Sequence, residues 1–127
     1  MKLRIRGNTL RLRLSQSEVD QIGRGQSVVE TTTFPDGGQL QYLIRTSDFQ
    51  TNVVKSGGVL NTLIEVIVEK TVAERWVGSE EVGLYGARPL LVGSLELLVE
   101  KDFACINPRD GVEDKDSFPN PSSITVS

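Results

Sequence analysis

The 127-residue chain has no histidine, one cysteine, one tryptophan and one methionine. Without histidine there is no Ser-His-Asp or Cys-His catalysis, no imidazole metal ligand and no ordinary general base near neutral pH. A lone thiol, Cys105, makes neither an internal disulfide nor a thiolate zinc site. No apolar run approaches the ~20 residues that cross a bilayer. The opening MKLRIRGNTL carries basic residues with no apolar stretch behind them, so it is not read as a secretory signal. Together these absences favour a reducing, cytoplasmic setting with no membrane partner. P-loop and dinucleotide-binding fingerprints are missing too, and Gly23-Arg-Gly25 and Gly83-Leu-Tyr-Gly86 read as turn glycines. The carboxylates Asp110, Glu113, Asp114 and Asp116 lack the alternating spacing of a calcium loop. No catalytic residue, metal or cofactor is expected. Only paired carboxylates could support catalysis, and the chain is expected not to be an enzyme.

What is present is charge, unevenly spread. Net charge is −3, but residues 1–50 hold seven Lys/Arg against five Asp/Glu, and residues 51–127 hold seven against twelve. Five of the cations, Lys2, Arg4, Arg6, Arg11 and Arg13, fall in residues 2–13. They alternate with Leu3, Ile5, Leu10, Leu12 and Leu14 about the pair Gly7-Asn8. A two-residue turn there places Arg6 opposite Thr9, Ile5 opposite Leu10, Arg4 opposite Arg11, Leu3 opposite Leu12 and Lys2 opposite Arg13. One face of this hairpin is then apolar and the other basic.

Ser15-Gln-Ser-Glu18 has the form of a capping box, and Gly23 closes the short helix it opens. A second hairpin follows from 27–34 and 39–45 around Pro35-Asp-Gly-Gly38. The order hairpin, helix, hairpin then recurs. Residues 51–55 and 61–70 flank Ser56-Gly-Gly58, Thr71-Val-Ala-Glu74 forms a second box, and 81–86 and 90–100 flank Ala87-Arg-Pro89. The expected fold is α+β and strand-rich: a single domain over residues 1–106 with two hairpin–helix–hairpin (ββαββ) units in pseudo-two-fold arrangement, barrel-like or sandwiched. The units span 2–47 and 51–100 and carry a possible internal repeat. The expected core comprises Leu3, Ile5, Leu12, Val28, Leu40, Ile44, Val66, Val68, Leu95, Leu97 and Val99, with Trp76 as an anchor. Residues 107–127 read as an acidic, proline-containing tail, in which Phe118 could dock back on the domain.

Like charges opposed on neighbouring strands repel, so the face of Lys2, Arg4, Arg6, Arg11 and Arg13 is the candidate site for an anionic partner. The expected partners are, in order, intramolecular carboxylates (Glu65, Glu69 or the tail), an acidic protein, and nucleic acid.

Gly7-Asn8-Thr9, then Leu12-Arg13-Leu14 and a short helix, resembles the swapped-hairpin DNA-binding domain of antitoxins and transition-state regulators across residues 2–34. The resemblance places Arg4 and Arg13 where that family puts basic DNA contacts, and implies a DNA-binding regulator as the alternative function. Ser15 stands where that family usually has proline, and the second unit has Leu63-Ile-Glu-Val66 in place of the arginine strand. Over its full length the chain resembles a family of short uncharacterised bacterial proteins, through MKLRIRGNTLRLRL (1–14), EKDFAC (100–105) and EDKDSFPNP (113–121). That resemblance implies no activity. The functional expectation is a small cytoplasmic binding or interaction module whose basic hairpin face meets acidic groups.

Overall fold

The computed structural model describes residues 1–102 and Phe118. The expected N-terminal hairpin forms from β1 (Lys2–Arg6) and β2 (Thr9–Leu14), with all five cross-strand pairs in the expected register. Gly7 turns the chain at a φ of 54°, a left-handed conformation that side-chain-bearing residues rarely adopt. Ser15 caps α1 (Gln16–Gly23), and the box is reciprocal: the Ser15 amide donates to Glu18 Oε1 at 2.9 Å and the Glu18 amide to Ser15 Oγ at 3.4 Å. Val19 and Ile22 are the buried stripe of this helix. The second hairpin is β3 (Val28–Thr33) with β4 (Gln39–Ser47), and the third is β5 (Asn52–Gly57) with β6 (Asn61–Glu69).

Two local expectations are corrected. The second capping box does not form. β6 runs straight into α2 (Lys70–Val77), so Glu69 is the N-cap and makes no side-chain cap bond. Thr71 therefore lies within the first turn, where its hydroxyl donates to Glu69 Oε1 at 3.3 Å. The last hairpin also shifts. Residues 81–86 contribute one bridge, Gly83 to Glu100, instead of a strand. The hairpin lies inside the expected 90–100 strand, as β7 (Leu90–Val92) and β8 (Leu95–Lys101), turning at Gly93 with a φ of 61°.

The eight strands form two four-stranded sheets, ordered β1-β2-β8-β7 (sheet A) and β3-β4-β6-β5 (sheet B). Each ends in edge strands, so neither closes into a barrel. Each sheet joins the first hairpin of one half to the second hairpin of the other. The joint is a parallel pair, β2 with β8 and β4 with β6. The two helices lie against each other so closely that a Cβ on Gly23 would sit 2.8 Å from Val77 Cγ1.

One core draws on both sheets and both helices: Leu10, Leu12, Leu14, Leu97 and Val99 from sheet A, Val28, Ile44, Val66 and Val68 from sheet B, with Val19, Ile22, Ala73, Trp76 and Leu84. Of the expected core, Leu3, Leu40 and Leu95 are only partly buried, and Ile5 is 59% exposed because β1 is an edge strand. Trp76 is fully buried, and its indole N–H donates to the Val82 carbonyl at 3.0 Å. No helix among the described residues is long and apolar enough to cross a membrane. Of the tail, only Phe118 is described. Its amide donates to the Asp102 carbonyl at 2.8 Å. The acidic cluster and Cys105 lie outside the described residues.

Candidate anion-binding face

The alternation that buries Leu10, Leu12 and Leu14 turns Thr9, Arg11 and Arg13 to the outer side of sheet A, beside Lys2, Arg4 and Arg6 of β1. All five expected cations are thus brought onto one face. The next strand answers them. β8 buries Leu97 and Val99 and so presents Glu96, Leu98 and Glu100 outward, in register with Thr9, Arg11 and Arg13. Arg11 Nε reaches Glu100 Oε1 at 2.5 Å, Lys2 Nζ reaches Asp102 Oδ2 at 3.1 Å, and Thr9 donates to Glu96 at 2.9 Å. Arg4, Arg6 and Arg13 form no ion pair among the described residues.

These carboxylates are neither Glu65 nor Glu69, and the expected tail carboxylates lie outside the described residues. Glu65 pairs with Arg45 at 2.9 Å on the other sheet. Glu69 accepts from Thr71. The alternation of Glu96, Leu98, Glu100 and Asp102 against Leu95, Leu97 and Val99 is readable in the sequence. That β8 would lie against β2, rather than against its own half, is not.

Shallow clefts follow the cationic strands. One of about 280 Å³ is lined by Lys2, Leu3, Arg4, Arg11 and Arg13, and another of about 160 Å³ by Arg4, Arg6, Thr9, Arg11 and Leu98. The face therefore has ordered polarity: cations on β1 and β2, carboxylates on β8, with strand spacings of ~4.8 Å between them.

Sheet B provides an internal comparison. With the two N-caps Ser15 and Glu69 aligned, Arg11 corresponds to Glu65 and Leu12 to Val66. The parallel registers then match Val99 with Ile44 and Glu100 with Arg45. The Arg11–Glu100 and Glu65–Arg45 pairs thus occupy equivalent places with their signs exchanged. The positions equivalent to Thr9 and Arg13 are Leu63 and Ile67. A basic face exists on one sheet only.

Lys101 breaks the apolar inward pattern of its strand, the one signal in the sequence that marks it. It is 5% exposed, donates to the Ser79 carbonyl at 2.6 Å, and lies 5.7 Å from the Trp76 ring centre and 5.6 Å from that of Phe118. Burial lowers its pKa below the ordinary 10.5, and the negative charge of Glu81 and Glu80 partly offsets this.

A family model described as "Family of unknown function (DUF7009)" matches residues 1–122. No curated protein and no solved structure matches the chain.

Proposed function

The chain belongs to that family of unknown function, and we propose that it acts by binding rather than catalysis, through the outer face of sheet A, with an acidic protein segment as its partner. One observation carries the reading. Arg4, Arg6 and Arg13 lack an ion pair among the described residues, while the neighbouring Arg11 and Lys2 are already held by Glu100 and Asp102. Three guanidiniums on one surface, without a countercharge among the described residues, suit carboxylates, which arginine binds in a planar, bidentate manner.

The polarity of the face favours protein over nucleic acid. Glu96 and Glu100 stand one strand from β2 and two from β1, within about 10 Å, which is about one Debye length at 0.1 M salt. A uniformly anionic phosphate backbone laid across the sheet would meet repulsion over β8. A protein surface can place carboxylates over β1 and cations over β8. A two-fold DNA reader also needs a second basic surface, and sheet B has Glu65 where sheet A has Arg11. The single cysteine agrees with a cytoplasmic setting.

The test is fluorescence anisotropy with a labelled glutamate-rich peptide and a duplex DNA, each across a salt series. The peptide is expected to bind in a salt-sensitive way, and Arg4→Ser with Arg6→Ser and Arg13→Ser to abolish it. Tighter binding to DNA, with a slope of about −2.7 for three phosphate contacts, would replace this reading with the nucleic-acid one.

A further inference from the structure

At the far edge of sheet A from the arginines, a cleft of about 490 Å³ opens between the start of β5 and strand β7. Its size lies within the ~300–1,000 Å³ range of small-molecule sites. Its lining includes Thr51, Glu69, Tyr85, Leu90, Leu91 and Val92, and contains no cationic side chain among the described residues. We propose that this cleft is a binding site for a small organic cation, an ammonium group carrying a short apolar chain. The proposal concerns a second site and does not depend on the role of the arginine face.

Glu69 supplies the countercharge. It stands where Ser15 stands in the first half, at the N-cap, but does not cap its helix. The carboxylate accepts one hydrogen bond, from Thr71, and is in no ion pair among the described residues. A second depression that Glu69 also lines, about 310 Å³, includes Asp48, Lys70, Thr71 and Glu74, so its described lining holds three carboxylates to one cation. Local charge therefore draws a cation in and keeps an anion out.

The hydroxyls supply the neutral polar contact. Thr51 is 6% exposed, its Oγ1 accepts the Glu69 amide at 3.0 Å, and it lies 2.6 Å from the Tyr85 hydroxyl. The contact uses one of the two hydroxyl hydrogens, and the phenolic oxygen keeps lone-pair capacity for an ammonium N–H. Leu90, Leu91 and Val92 form an apolar wall for a hydrocarbon chain, and Leu91 is 64% exposed. Carboxylate, hydroxyl pair and apolar wall come from both sheets and from the loop before β7, so the site exists only in the folded chain.

The test uses three probes of equal length and different charge: n-butylammonium chloride, n-butanol and sodium butyrate. Each is titrated into the full chain and followed by amide chemical-shift changes. Butylammonium is expected to give saturable shifts at residues 50–52, 69, 85 and 90–93, butanol weaker ones, and butyrate none. Glu69→Gln should weaken butylammonium roughly tenfold, the low end for a bond to a charged group, and leave butanol unchanged. Tyr85→Phe, which keeps the ring, should also weaken it. Equal or tighter binding of butanol or butyrate by the unaltered chain would overturn the proposal, as would the absence of any saturable butylammonium shift. Undiminished butylammonium affinity in a folded Glu69→Gln variant would do so too.

Discussion

Changing Glu100 to Gln separates the two roles of the arginine face. The pair it breaks is partly buried, with Arg11 and Glu100 side chains 29% and 20% exposed. Exposed pairs contribute ~0.2–1 kcal/mol once side-chain entropy and screening are counted, so a loss of about 0.7 kcal/mol is expected. With a urea m-value of ~1.5 kcal/mol/M, the midpoint should fall by roughly 0.5 M. Binding should move the other way, because Arg11 joins Arg4, Arg6 and Arg13 as a guanidinium without an ion pair among the described residues, and a negative charge leaves the face. A unit charge ~7 Å from a bound carboxylate contributes about 0.6 kcal/mol in water, so affinity for a glutamate-rich peptide should rise two- to threefold, by about that factor. Glu65→Gln is the internal control: it breaks the equivalent pair to Arg45 on sheet B. It should cost similar stability and leave peptide binding unchanged. If both variants change binding equally, or if Glu100→Gln loses stability with no gain in affinity, the assignment of the binding face to sheet A is wrong.

Other perturbations probe the frame beneath that face. Trp76→Phe leaves a void at a fully buried site and removes the indole hydrogen bond to the Val82 carbonyl, which keeps only its bond from the Lys101 amide, and should cost about 2 kcal/mol, measured by urea unfolding with far-UV circular dichroism; a loss under ~0.5 kcal/mol would contradict the packing described. Gly57→Ala meets both a φ of 136° and a backbone clash of the added Cβ with the Asn61 carbonyl oxygen, so it should lower the melting temperature severely, by the equivalent of about 3 kcal/mol. Lys101 sets a pH dependence. Its folded pKa is depressed, so the unfolded chain binds more protons between that value and 10.5, and the penalty for charging it is relieved as pH rises through this interval. Lys101→Met lacks this relief, so the stability of the natural chain relative to this variant should increase from neutral pH to about pH 10; a constant difference would show that Lys101 is not held in a desolvated site.

The sequence made local structure legible and long-range pairing illegible. Residues 2–14 are legible because Gly7-Asn8 and a strict two-residue period leave a single register, and the fold reproduces every pair of it. The Ser15 box is legible because both partners are three residues apart. Thr71-Val-Ala-Glu74 has the same lettering but follows a strand without a break, and strand continuity takes precedence over the cap. The last hairpin is misread because Ala87-Arg-Pro89 looks the stronger turn, whereas Gly93 makes it. All five cations of the candidate face were visible. Their countercharges on Glu100 and Asp102 were not, because they depend on a parallel pairing between residues 9–14 and 96–101 that leaves no local trace.

The exchange of hairpins between the halves also fixes an order of events during synthesis. Every strand of sheet B has been made once Glu69 is complete, whereas sheet A must wait for Leu95–Lys101. Closing that sheet joins the two ends of the described chain, the kind of distant contact that slows folding. Of the described strand pairs, the arginine hairpin is thus the first to emerge and among the last to gain its neighbour. Through most of translation its leucine face and its inner edge are open to whatever else in the cell can bind them, and chaperone protection of the nascent chain should matter most in that interval.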